Sequence, residues 1–190
     1  KKESIMGSTG LGSETYLAPT LMNHIAGTKF KIVKGYKGGA KINKAMEGSE
    51  VHGRMNYWSG WTAAKAAWLA EGKLKHIVSY GGDIKELPNL PKMIDLAKTA
   101  EQKAMVRFLE VAPRVGMGFW VSPEVPKARA VALRTAFQAM LRDPAFVADA
   151  AKRKAPVSPV SGEKLDEIVA AVYKTPPATI AKLKKVFGFK

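Results

Sequence analysis

Cysteine is absent from all 190 residues. That excludes disulfides, thiolate metal sites and cysteine nucleophiles, and it leaves both oxidising and reducing compartments open. Histidine is scarce. His24, His52 and His76 stand apart, without an H-E-x-x-H pair or acids at ligand spacing, so no metal and no cofactor is expected. No G-x-S-x-G elbow surrounds Ser13 and no acid–base pair stands out, so an enzyme is the least supported class. No apolar run approaches the roughly 18 residues of a membrane span. There is no signal-peptide pattern, and the chain opens on Lys1 rather than methionine, as expected of a mature or truncated product.

Acidic residues are few as well: 16 Asp+Glu stand against 31 Lys+Arg, a formal net charge of +15. Such a balance brings nucleic acids, anionic membrane surfaces and acidic small molecules into view. The charge does not gather in a tail. Lys29, Lys31, Lys34, Lys37, Lys41 and Lys44 punctuate one strand-like run and the helix after it. Lys152, Arg153 and Lys154 end one helix, and Lys182, Lys184 and Lys185 lie in the last. Lysine dominates, whereas base-reading surfaces favour arginine. "KGYKGG" from Lys34 begins like an RNA-recognition signature but lacks the small residue and aromatic that should follow. A solvated basic surface is the reading favoured over nucleic-acid binding.

With 46% hydrophobic and 25% charged residues, the chain can bury one good core. Its opening, "SIMGSTGLGSETYLAP" (Ser4 to Pro19), places a glycine loop between a strand-like run and a helical one, a common way to hold an anion. A P-loop is excluded, because Ser13 and Glu14 follow Gly12 where Lys and Ser/Thr belong. The dinucleotide pattern fails at Thr15. What remains is backbone N–H donors with the Ser8, Thr9, Ser13 and Thr15 hydroxyls, suited to a carboxylate; the alternative is an ordinary strand–turn–helix corner with Ser13 as N-cap.

The first half alternates strands (3–7, 29–34, 50–57, 75–80) with helices (14–26, 39–48, 61–71), which implies a parallel sheet with helices on its faces. After a turn-rich "ELPNLP", helices are expected at 91–98 and 100–111, then a short strand at 117–123. From Pro126 the pattern is helical. Leu133, Phe137, Met140 and Leu141 share one face, Asp143 and Pro144 open the next helix, Ser161 caps another, and Thr175–Pro176 start the last. In that last helix Ile180, Leu183 and Phe187 should point inward. Trp61 and Trp68, seven apart, are expected to share one face of a helix over 61–71 and to pack in the core.

Three stretches, "GSTGLGSETYLAP" (7–19), "FKIVKGYKGGAKINKAMEGSEVHGR" (30–54) and "GFWVSPEVPKARAVALRTAFQAMLRDPAFVADA" (118–150), resemble the substrate-binding proteins of tripartite tricarboxylate transporters, the Bug-type periplasmic receptors. "VSGEKLDEIVAAVYKTPPATIAK" (160–182) resembles that family's last two helices. The resemblance implies an α/β fold of the periplasmic-binding type II kind: a second, ligand-binding α/β domain over 1–115, and a crossover strand with C-terminal helices over 116–190 that return towards a missing first domain. It implies a periplasmic, non-enzymatic receptor that captures a small carboxylate between two domains and delivers it to membrane transporter subunits. The ligand residues it implies are Ser8, Thr9, Gly10, Gly12, Ser13 and Thr15 in one loop, and Tyr36, Gly38, Gly39 and Ala40 in the other. Lys41 and His52 stand where the family carries glutamate and aspartate. The implied truncation leads to an expectation that Trp120, Phe137 and Phe187 are exposed or covered by a second copy, through dimerisation or element exchange. Two rival classes remain: a polyanion- or nucleic-acid-binding protein, and the effector-binding domain of a transcription regulator.

Overall fold

The computed structural model describes residues 3–116, 118–153, 155, 157 and 159–190. Its chain divides into two compact units, one of Lys1–Tyr57, Lys75–Arg114 and Val172–Lys190, the other of Trp58–Leu74 and Val115–Ala171.

The first unit is built on two parallel strands, β1 (Ser4–Gly7) and β2 (Phe30–Val33), paired from Ser4↔Phe30 to Gly7↔Val33. Helix α1 (Glu14–Ala26) crosses between them and stops at Gly27, whose φ of 61° is the left-handed cap that a side chain resists. Asn23 then steers the chain into β2: its amide donates to the Phe30 carbonyl and its oxygen accepts from Phe30 N–H, both at 2.9 Å. After β2 comes α2 (Gly39–Glu47).

Each face of the strand pair carries a core. Ala18, Leu21, Met22 and Ile25 recur at helical spacing and bury one side of α1. They pack with Met93 of α5 (Met93–Leu96), with Met105, Val106 and Leu109 of α6 (Ala100–Leu109), and with Leu183 and Phe187 of α11 (Pro177–Phe187); Phe30 closes this cluster from β2. On the other face Ile42 and Ala45 of α2 join Val51, with Ile5 of β1 against them. This is a helix–sheet–helix sandwich with a very narrow sheet.

Expected strands account for most of the differences. Residues 50–57 supply only one parallel bridge, Met6↔Gly53. His52 N–H still bonds the Ile5 carbonyl and Gly7 N–H the Gly53 carbonyl. The ladder ends there because Ile5 N–H turns instead to His52 Nδ1, at 3.0 Å. Residues 75–80 likewise reduce to the bridge Ser79↔Lys92. No strand forms over 118–123, where Phe119, Trp120 and Val121 are exposed; Met117 lies outside the described residues.

The second unit is helical: α3 (Trp58–Ala64), α4 (Ala66–Ala70), the last residue of α7 (Val111–Val115), α8 (Lys127–Met140), α9 (Pro144–Lys152) and most of α10 (Gly162–Tyr173). The single helix expected over 61–71 breaks at Lys65, whose φ of −139° is not helical; Trp61 and Trp68 still meet, with ring centroids 6.5 Å apart. The expected start of α9 is present: Asp143 accepts from Phe146 N–H at 2.9 Å and Pro144 opens the helix. Ser161 Oγ accepts from Lys164 N–H at the start of α10. Lys154, placed by the sequence at the end of α9, lies outside the described residues. Arg134 of α8 reaches Glu163 and Asp166 of α10 at 3.1 and 3.0 Å. Such exposed pairs add little.

Trp120 and Phe137 are exposed, Phe137 resting on Phe119. Phe187 is a correction. It is buried in the first unit's own core, because α11 lies against α1 and α6. Leu21→Ala is expected to cost about 2–5 kcal/mol, whereas Leu133→Ala, on the exposed face of α8, should stay within about 0.5 kcal/mol. Urea unfolding of the two variants checks this contrast.

Candidate functional site

Parallel strands that end together bring their following loops together. β1 and β2 both finish at one edge of the sheet, so loop 8–13 leads into the N-terminus of α1 beside loop 34–38, which leads into that of α2. The pairing continues one residue beyond the strands: Ser8 N–H bonds the Val33 carbonyl at 2.8 Å, and Tyr36 N–H bonds the Ser8 carbonyl at 3.2 Å. Ser8 therefore ties the two loops together through its backbone.

The hydroxyls of loop 8–13 converge on Thr15. Its Oγ1 accepts from Thr9 N–H at 3.0 Å, lies 3.3 Å from Thr9 Oγ1 and 2.6 Å from Ser13 Oγ, and donates to Ser8 Oγ at 3.2 Å. Ser8 Oγ also accepts from Gly10 N–H, and Ser13 Oγ donates to the Gly10 carbonyl. Ser8 has no exposed surface and Thr15 is buried, so both brace the loop from within. Ser13 precedes α1 in extended conformation without a side-chain cap bond, since its hydroxyl is engaged with Gly10 and Thr15. Gly12 is exposed at the loop's tip, with no atom near the space its Cβ would fill. Glu14 and Thr15 carry first-turn N–H groups, which an α-helix leaves without partners of its own.

In the second loop Gly38 has φ 90°, a conformation side chains rarely adopt. Its carbonyl receives the first bonds of α2, from Lys41 and Ile42 N–H. The Tyr36 ring belongs to the Ile42 cluster, lies beside Gly7 on the α2 side of the sheet, and its hydroxyl donates to Glu50. Ala40 is exposed on the first turn of α2. Gly39 is tightly constrained: a Cβ there would stand 2.3 Å from Arg54 Nη1.

Arg54 is the residue that sequence reasoning missed. Its guanidinium lies half-buried against the first turn of α2, donating to the Gly39 carbonyl at 2.8 Å, to Asn43 and Asn56 side chains, and to the Met55 carbonyl. Desolvation pulls its pKa below the usual arginine value. The signal was the doubled glycine: the second, Gly39, has no unusual backbone angle to justify it and is small because an arginine fills its space. His52 and Lys41, the two departures from the resembled family, have separate surroundings. His52 serves the edge of β1 through Ile5 N–H, and Lys41 is exposed on α2.

A carboxylate already stands at the head of α1. Glu14 is the helix's first residue and accepts a hydrogen bond from the Tyr80 hydroxyl. Burial raises its pKa above the ordinary carboxylate value, and the Tyr80 bond offsets this only in part. Burial and the neighbouring Glu14 charge push the Tyr80 and Tyr57 phenols upward. Among the described residues, no three His, Asp or Glu side chains gather as a metal site requires, and no helix is long and apolar enough to cross a membrane. No family model, curated protein or solved structure matches the chain.

Two outcomes are expected. Thr15→Val keeps the shape but removes the shared oxygen, leaving buried donors unsatisfied, and should cost about 1–3 kcal/mol in chemical unfolding. The second concerns Glu14. Its raised folded pKa means that its contribution to stability is complete below the unfolded value and lost as pH rises through the folded one. Glu14→Gln abolishes that titration yet keeps an acceptor for Tyr80. The stability of the natural chain relative to Glu14→Gln should therefore decline as the pH rises above the ordinary glutamate range of about 4, as read by urea unfolding at each pH.

Proposed function

We propose that the first unit is a carboxylate-binding α/β module, the ligand-binding half of a periplasmic solute receptor of the type II binding-protein kind. One observation carries the reading: two glycine loops, each running into a helix N-terminus, sit side by side at one edge of a parallel strand pair and are joined through Ser8. Ligands in open α/β sheets collect beyond the carboxyl ends of the strands, where helix N-termini favour negative charge through their dipoles and unpaired donors.

The ligand is a small organic acid rather than a nucleotide. The loops lack a P-loop lysine, and Glu14 repels a polyphosphate more strongly than a single carboxylate. The contacts fall to the backbone around Thr9, Gly10, Gly12 and Ser13, and to Gly38, Gly39 and Ala40 at the head of α2. Ser8 and Thr15 hold that backbone in place. In the receptor a second domain closes over the acid, and membrane transporter subunits take it up from there. A ligand held from one side alone binds weakly, because closed states gain their stability from contacts on both sides.

The test is thermal unfolding against mono-, di- and tricarboxylates at fixed ionic strength. A ligand at one hundred times its Kd adds about 2.7 kcal/mol of stability. One acid class is expected to raise the midpoint, and Thr9→Ala/Ser13→Ala to reduce that rise at equal ligand concentration. A midpoint raised by heparin or DNA, and by no carboxylate, overturns the reading in favour of a polyanion-binding protein.

A further inference from the structure

The positive charge is unevenly placed. The first unit holds 21 of the basic and 9 of the acidic residues, a net of +12 within the chain's +15. From Thr15 to Met46 the sequence has six lysines and no Asp, Glu or Arg.

The sheet sorts these lysines by face. In a parallel pair, residues in register point to the same side. Lys31 is in register with Ile5, and Ile5 packs on the α2 cluster, so Lys31 projects on the α2 side; Lys29, two residues earlier along the extended chain, follows it. On α2 itself, Ile42 and Ala45 face the sheet while Lys41 and Lys44, one turn apart, face out. All four lysines are exposed. None belongs to an ion pair among the described residues. Lys34 turns to the opposite side, over the Tyr16 ring of α1. Three acids border this face: Glu3, which precedes β1 beside Lys29, Glu47 at the end of α2, and Glu50, which accepts the Tyr36 hydroxyl.

We propose that the α2 face of the first unit, carrying Lys29, Lys31, Lys41 and Lys44, docks on the headgroups of an anionic phospholipid bilayer. The chemistry of the face selects that partner. Ammonium groups are compact, strongly hydrated point charges that need no matching geometry, whereas base edges and structured phosphates are read by arginine forks. Single-stranded nucleic acid requires aromatic platforms, and the Tyr36 ring on this side is instead packed on the Ile42 cluster and tied to Glu50. A layer of mobile headgroups asks only for several cations on one side of a rigid body. This face is separate from the two glycine loops and stands independently of the carboxylate reading.

The experiment is vesicle flotation, comparing phosphatidylcholine vesicles with vesicles that also contain phosphatidylglycerol, at low and at physiological salt. Binding only to the anionic vesicles is expected, weakening with salt as screening shortens to about 8 Å. Each lysine contributes about fivefold. Lys31→Gln, Lys41→Gln and Lys44→Gln should each lower the partition coefficient by about that factor, and the triple variant by about 100-fold. The control, Lys98→Gln/Lys103→Gln/Lys184→Gln, removes equal charge around α6 and α11, which pack with α1 on the other side of the sheet. It should stay within about fivefold of the natural chain. Equal losses from both triple variants, absence of binding to anionic vesicles, or tighter binding to an oligonucleotide at the same salt would each overturn the proposal. Unchanged unfolding midpoints confirm that the substitutions act on the surface; the single variants serve if the triple one fails to fold.

Discussion

The two hydrogen bonds on the backbone of Ser8 constrain everything at the sheet's edge. Strand pairing that stopped at Gly7 would leave the two glycine loops to wander separately. Because Ser8 donates to Val33 and accepts from Tyr36, the loops start from a common origin, and the helices that follow inherit fixed positions. The hydroxyl network around Thr15 is the second layer of the same device. It uses short side chains to hold a turn whose glycines supply no packing of their own.

The electrostatics of this edge are balanced rather than uniformly positive. Arg54 braces α2 from beneath, while Glu14 tempers α1 from its first position. Neither side chain can be truncated without stranding the groups it serves: the Gly39 carbonyl and two amides in one case, the Tyr80 hydroxyl in the other. Lys34 and Lys37 in the second loop add exposed positive charge at this edge, and the unit's other lysines reach water on surfaces away from it. Net charge alone is therefore a poor guide to what the loops bind.

Much of the fold was legible because its signals were local. The span of α1 follows from a glycine loop at one end, Gly27 at the other and four apolar positions at helical spacing between them. The start of α9 follows from Asp143 and Pro144. Sheet width was not legible, since a strand exists only where a partner accepts its hydrogen bonds, and partners are distant in sequence. Residues 50–57 and 75–80 read as strands in the sequence, yet each finds a single bridge. At the candidate site the loops were readable from glycine and hydroxyl content. Arg54 was not, because nothing adjacent to it in sequence names Gly39 as its neighbour. That Phe187 points inward was readable from its spacing along the last helix; that it does so in the first unit's own core was not, because its partners on α1 lie at the other end of the chain.

That last distance has a consequence for biogenesis. The first unit is assembled from three separated segments, and its core needs Leu21 from the first, Met105 from the second and Leu183 from the third. A nascent chain emerging from the ribosome displays the apolar face of α1 long before α11 has been synthesised. Closure must await the synthesis of α11, so this core forms late and through contacts of large sequence separation, the kind that slow folding. In the interval the unshielded face of α1 is the surface that a chaperone would occupy.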